Sequence, residues 1–252
     1  LYMMMKKLNI GNLSISVPIV QGGMGVGISL SGLASAVANE GGVGVISSAG
    51  LGLLYRNLSK DYIQASIMGL KEELRKAREK TKGLIGVNVM VAMSNFTDMV
   101  KTAIAEKADI IFSGAGLPLN LPSFLQKDSV TKLVPIVSSA RAARVIAEKW
   151  HSLYNYLPDA FVVEGPKAGG HLGFKDEHFS LEHILPEVID EVQDMGARYG
   201  KEIPVIVAGG IYTGEDIKRF MDMGASGVQM GTRFVTTEEC AASDVFKQTY
   251  IE

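Results

Sequence analysis

Apolar and polar positions along this chain follow two alternating rhythms. Short, nearly continuous Val/Ile-rich runs occupy residues 17–20, 43–47, 84–90, 110–113, 134–138, 161–163, 204–208 and 227–230. Such runs fit parallel strands covered on both faces. Between them, helical spacing of apolar residues appears at 30–40, 60–82, 95–106, 140–150, 181–199 and 214–223. Strand followed by helix, repeated, is the signature of βαβ units. Eight strands predict a closed (β/α)8 TIM barrel, an α/β fold filling residues 1–252 as a single domain. The 51–82 stretch is long for a crossover; it predicts a loop carrying Tyr55 and Arg56, then a charged helix with a solvated Lys/Glu/Arg face. Only residues 236–252 follow the last strand, too few for a full closing helix, so the expectation is either a protein that continues past Glu252 or a short covering helix.

Composition narrows the function classes. The 252 residues carry 25 basic and 27 acidic side chains, a net charge of −2, with no basic stripe, which argues against nucleic acid as a partner. No apolar run reaches the ~18 residues of a membrane helix, so no membrane partner is expected. One cysteine, Cys240, excludes a disulfide framework and a cysteine-rich metal site, and a reducing, cytoplasmic setting is the simplest reading. Cys240 itself reads as a buried or inert thiol.

The chemistry gathers at the strand ends. These read Gln21-Gly22-Gly23-Met24, Gly86-Val87-Asn88, Ala168-Gly169-Gly170-His171, Ala208-Gly209-Gly210-Ile211 and Gln229-Met230-Gly231-Thr232. In a barrel all of them surround one opening, on the C-terminal face. The loops after the seventh and eighth strands of such barrels frequently bind phosphate. Gly209 and Gly210 would expose backbone N–H groups, the helix start at Thr213-Gly214-Glu215-Asp216 would add a favourable helix end, and Gly231 and Thr232 would add donors. No Gly-x-Gly-x-x-Gly with a following acid marks a dinucleotide site. Phosphate next to the side-chain amides of Gln21, Asn88 and Gln229 suits flavin mononucleotide (FMN), whose ring offers matching carbonyl and N–H groups. Gly22-Gly23 and Gly169-Gly170 would let the backbone approach that ring, and Met24 and Met230 are expected beside it.

These segments, in this order and over nearly the whole chain, resemble the nitronate monooxygenases and the related FMN-dependent enoyl-ACP reductases II. The resemblance implies an FMN-bound TIM barrel with cofactor contacts at Gln21, Gly22, Met24, Asn88, Gly169, Gly210 and residues 229–232. It also shows departures. Many members carry Gln-Gly-x-Glu-Ala-Gly-Gly-His where this chain has Glu164-Gly165-Pro166-Lys167-Ala168-Gly169-Gly170-His171. Glu164 stands in place of an amide that touches the cofactor, and Lys167 in place of an acid.

A histidine after two glycines on the ligand face, with an ordinary pKa of ~6.5, suits a base for the carbon beside a nitro group, and His171 is the expected catalytic residue. The resemblance implies oxidation of alkyl nitronates or nitroalkanes with O2 to carbonyl compounds and nitrite. Two alternatives stand beside it: an NAD(P)H-dependent reductase of enoyl thioesters, and a phosphate-ligand barrel with no redox chemistry. Ser47-Ser48-Ala49-Gly50 lacks a nucleophile elbow and is expected to line the opening; Ser113-Gly114-Ala115-Gly116 is expected to shape the substrate pocket. His151, His178 and His183 read as surface residues, and no His/Glu spacing suggests zinc. The expected partners are a small-molecule substrate and O2, and oligomeric state is left open, a homodimer included.

Overall fold

The computed structural model describes residues 6–169 and 180–251. Eight parallel strands close a barrel: β3 (Ile19–Gln21), β4 (Val43–Ser47), β5 (Leu84–Met90), β6 (Ile110–Gly114), β7 (Lys132–Val137), β8 (Phe161–Glu164), β9 (Val205–Ala208) and β10 (Gly227–Met230). Each pairs with its sequence neighbour, and β10 returns to β3 through Val228↔Ile19, Gln229↔Val20 and Met230↔Gln21. The expected (β/α)8 barrel is the observed fold.

Alternating side chains divide the core into two layers. Val20, Val43, Val45, Ile110, Phe112, Val134, Val162, Ile206 and Ala208 fill the barrel interior. Their neighbours Ile46, Val87, Ile111, Val163, Val207 and Val228 face outward into the shell of helices. This is the period-two division that parallel strands impose. Phe112 takes space that Gly86 leaves open: a Cβ at Gly86 would lie 2.8 Å from its ring.

The interior is plugged at its N-terminal end by an antiparallel hairpin, β1 (Leu8–Ile10) with β2 (Leu13–Ile15). Leu8, Ile10 and Ile15 are buried with the interior side chains. The hairpin turns at Gly11-Asn12, with Gly11 at φ +57°, a signature of tight hairpin turns. Beneath the plug, the buried Asp159 accepts from Leu133 N (2.9 Å), Tyr156 Oη (2.5 Å) and Lys201 Nζ (2.9 Å).

The shell consists of α1 (Ser31–Asn39), α2 (Leu51–Leu54), α3 (Tyr62–Lys80), α4 (Phe96–Ala105), α5 (Ala140–Tyr154), α6 (Leu181–Tyr199), α7 (Gly214–Asp222), α8 (Thr232–Val235) and α9 (Asp244–Gln248). Between β6 and β7 only a 3-10 turn, Leu121–Phe124, covers the sheet. Starts and stops follow local chemistry. Asp61 and Ser139 cap α3 and α5 by accepting from Gln64 N and Ala142 N, and Asn155 ends α5 in the left-handed region. Alanine-rich α1 lies so close to β4 that a Cβ on Gly44 would fall 1.8 Å from Ala34 O.

One expectation for α3 needs correction. Its charged run is not wholly solvated: Glu73 is 4% exposed and accepts from Ser31 N at 2.6 Å and from Tyr55 Oη. α1 has no side-chain cap of its own, so a carboxylate from α3 satisfies its first turn.

Candidate active site at the C-terminal strand ends

The alternation that fills the barrel also decides which strand-end side chains face its mouth. Continuing the interior rows upward brings Ser47, Asn88, Glu164 and Gln229 to the rim, with Ala208 between the last two. The register places Ser47 beside Asn88, Glu164 beside Ala208, and Ala208 beside Gln229. Asn88, Glu164 and Gln229 are half-buried. Among the described residues, the side-chain amides of Asn88 and Gln229 have no hydrogen-bond partner. Gly22 lies next to Gln229: a Cβ there would sit 3.5 Å from Gln229 Cγ and 3.4 Å from Met230 O. Gly23 abuts Asn88 so tightly that a Cβ would be 2.3 Å from Asn88 Cβ. The two glycines form a thin floor between two unspent amides.

Gln21 and Met230 occupy other positions. Both sit on the outward parity of their strands. The Gln21 side chain is fully buried; its Nε2 donates to Gly22 O (2.6 Å) and Ser29 Oγ (2.8 Å), and its Oε1 accepts from Val45 N (3.0 Å). It holds the 22–29 loop in place, with both Nε2 hydrogens and one Oε1 lone pair engaged within the protein. The Met230 side chain packs in the helical shell, and its carbonyl accepts from Gly22 N at 2.8 Å. Met24 is half-buried and packs against the cluster of Leu33, Val37 and Cys240, with its sulfur 3.4 Å from where a Gly231 Cβ would be, which ties the loop after β3 to the loop after β10.

The loops after β9 and β10 present a set of backbone donors. Gly209 and Gly210 have φ of +107° and +74°, a conformation that favours glycine and turns successive N–H groups to one side. Among the described residues, the N–H groups of Gly209, Gly210, Gly231 and Thr232 donate to no protein acceptor. The start of α7 contributes less than its position suggested. Thr213 and Asp216 form a capping box: Asp216 N donates to Thr213 Oγ1 (3.1 Å), and Asp216 Oδ2 accepts from Thr213 N (2.9 Å) and Tyr212 N (3.0 Å). The N–H groups of Thr213 and Tyr212, with the Thr213 hydroxyl, hold the Asp216 carboxyl below its ordinary range. A carboxylate already fills this helix end, so an anion is left to the glycine loops. Above them, the Arg233 guanidinium stacks on the Tyr212 ring at 4.8 Å, a contact without a sequence signal.

Gly169 lies exposed, with no atom of the described residues within 4 Å of a hypothetical Cβ. Gly170 and His171 lie outside the described residues, as does His178. Of the stretch expected to line the opening, Ser47 reaches the rim while Ser48 Oγ donates to Asn88 O (2.8 Å); Ser113, expected to shape the substrate pocket, is buried and donates to Val89 O (2.9 Å). Cys240 is buried against Leu33 and Val37. His183 is exposed beside Ser180, while His151 is half-buried with its ring 4.2 Å from Tyr199. Among the described residues no cluster of His, Cys, Asp and Glu could hold a metal, and no helix is long and apolar enough to cross a membrane. A surface cleft lined by Leu74, Arg75, Arg78 and Glu106 lies at the opposite end of the strands, where Arg78 pairs with Asp109.

Fold and site together define a (β/α)8 barrel whose ligand-competent groups gather at the C-terminal strand ends. The chain belongs to the nitronate monooxygenase family, whose model matches residues 6–252. It is 31% identical over 240 residues to a Mycobacterium tuberculosis protein named (3aS,4S,5R,7aS)-5-hydroxy-7a-methyl-1-oxo-octahydro-1H-indene-4-carboxyl-CoA dehydrogenase, covering 95% of this chain and 58% of that one. It is 24% identical over 282 residues to a probable nitronate monooxygenase of Staphylococcus haemolyticus, covering 95% and 70%. Among solved structures, FabK from Thermotoga maritima superposes with a TM-score of 0.74 at 30% identity, over 93% of this chain and 64% of that one. The chain thus spans 58% and 64% of the length of the first and last of these relatives.

Proposed function

We propose that the protein is an FMN-dependent oxidoreductase that oxidises alkyl nitronates or nitroalkanes with O2. The observation that carries this reading is the pairing of two unspent amides, Asn88 and Gln229, over a glycine floor with a row of free backbone N–H groups at Gly209, Gly210, Gly231 and Thr232. A flat heteroaromatic ring with carbonyl and N–H edges fits the first, and a phosphate monoester fits the second. FMN carries both on one molecule, and when bound it supplies the electron acceptor that the side chains lack.

This chain's residues then have separate tasks. Gly22 and Gly23 admit the ring close to the backbone; Asn88 and Gln229 orient its edge; Gly209, Gly210, Gly231 and Thr232 bind the phosphate; Met24 closes the gap between the first and last loops. Gly169, with no atom of the described residues within 4 Å of where its Cβ would be, bounds the substrate side. His171 removes the proton from the carbon next to the nitro group. Glu164 adds a carboxyl group to the rim, where relatives carry an amide.

A second reading has its own support. The relatives at 31% and 29% identity are named for a carboxyl-CoA dehydrogenase, and those named for nitronates are 24–27% identical. That order favours a thioester substrate on the same flavin site, as in an NAD(P)H-dependent enoyl reductase. Oxygen uptake with propyl nitronate, set against NADH oxidation with crotonyl thioester, separates the two. Uptake with nitronate and no NADH turnover supports the first; the reverse replaces it with the second.

A further inference from the structure

The loop after β8 brings a cation to the donor row. Lys167 is exposed, and its stem lies across the loop after β9: a Cβ at Gly210 would fall 2.9 Å from Lys167 Cδ and 3.2 Å from its Cβ. A Cβ at Gly209 would fall 3.0 Å from Ala168 N. The two loops are therefore in contact, and the glycines that free the backbone N–H groups also make room for the lysine stem. The stem is held while its ammonium has no acidic partner among the described residues. Asp216, at the helix start that follows the loop after β9, is turned onto that start by its bonds to Thr213. A lysine whose stem crosses this loop can bring its ammonium to an anion held by the N–H groups, and a cation with N–H donors complements two negative charges better than the N–H groups do alone.

We propose that Lys167 is the cationic arm of the phosphate site, pairing with the monoester phosphate of the bound flavin. The inference rests on the FMN reading above and adds a specific affinity determinant to it. It predicts that this protein discriminates FMN from riboflavin, which lacks the phosphate, through a side chain as well as through the backbone.

The test is a titration of the flavin-free protein with FMN and with riboflavin, followed by quenching of flavin fluorescence. Lys167→Met keeps the apolar stem over Gly210 and removes the charge. It should weaken FMN roughly 10-fold, within a range of about 5–50-fold, and leave riboflavin unchanged. Lys167→Glu should weaken FMN further, and Lys167→Arg should stay near wild type. The wild-type preference for FMN should shrink as salt rises, as expected of a partly exposed charge pair. Unchanged FMN affinity in Lys167→Met, or equal weakening of FMN and riboflavin, overturns the arm while leaving the FMN reading intact. Wild-type protein that binds neither flavin overturns both.

Discussion

Gly23→Ala tests whether the glycine floor exists to seat Asn88. The added Cβ would lie 2.3 Å from Asn88 Cβ, 3.0 Å from Asn88 Cγ and 3.3 Å from Val45 Cγ1. Non-bonded carbons settle at about 3.5–4.0 Å, so the first contact is short by more than an ångström. Both atoms are fixed directly to backbone, and no rotamer change separates them. The end of β5 and the loop after β3 must move apart. Overpacking of this kind costs about 1–3 kcal/mol, and a chain of this length loses roughly 2–4 °C in Tm per kcal/mol. A displaced Asn88 amide forfeits a hydrogen bond to the flavin of about 0.5–1.5 kcal/mol, which is roughly a 2–13-fold loss in FMN affinity. Differential scanning fluorimetry and a flavin titration read the two effects. Gly169→Ala is the control for stability, because its Cβ meets nothing within 4 Å, and its Tm should match wild type. A Gly23→Ala protein with wild-type Tm and wild-type FMN affinity would refute the reasoning.

Three further outcomes follow from the packing and the charges. Gln21→Met should lower Tm even without flavin, by the equivalent of about 1–3 kcal/mol, because Val45 N loses its acceptor in a buried site while Ser29 Oγ keeps Met24 N and Gly22 O; a variant that loses flavin affinity at unchanged Tm would instead make Gln21 a ligand contact. Ile10→Ala, at a fully buried position of the hairpin plug, should cost about 2–5 kcal/mol in denaturant unfolding, and a smaller loss would mean that the hairpin does not close the barrel. The Asp216 carboxyl is held below its ordinary value of 3.8, first by the Thr213 N–H. Its contribution is therefore present above that value and lost as pH falls through the lower folded one. Across this acid window Tm should fall more steeply for wild type than for Asp216→Asn, and parallel curves would contradict the capping role.

The barrel was legible because its strands are buried on both faces and interrupted by glycine. The observed bounds of β4, β5 and β10 coincide with the apolar runs at 43–47, 84–90 and 227–230. The plug hairpin has only a faint cue in the sequence: Leu8-Asn9-Ile10 and Leu13-Ser14-Ile15 alternate around Gly11-Asn12. Three-residue strands are simply too short for periodicity to stand out. Site residues were legible as types and positions but not as directions. Gln21, Asn88 and Gln229 look alike as strand-end amides, yet strand parity turns Gln21 outward and the other two inward. Counting by twos from Val20 would have separated them. Likewise, Glu215 and Asp216 mark a helix start that supplies its own anion, a cue in the same residues that suggested phosphate. The stack of Arg233 on Tyr212 and the Lys167 stem over Gly210 depend on the proximity of separate loops, which no local pattern encodes.

The central claim is that these strand ends hold FMN. Its most direct measurement is the visible absorption spectrum of the purified protein, repeated after addition of FMN and removal of the excess. The account expects a yellow protein with a flavin band and one FMN released per chain on denaturation. A colourless protein that takes up no FMN would contradict it.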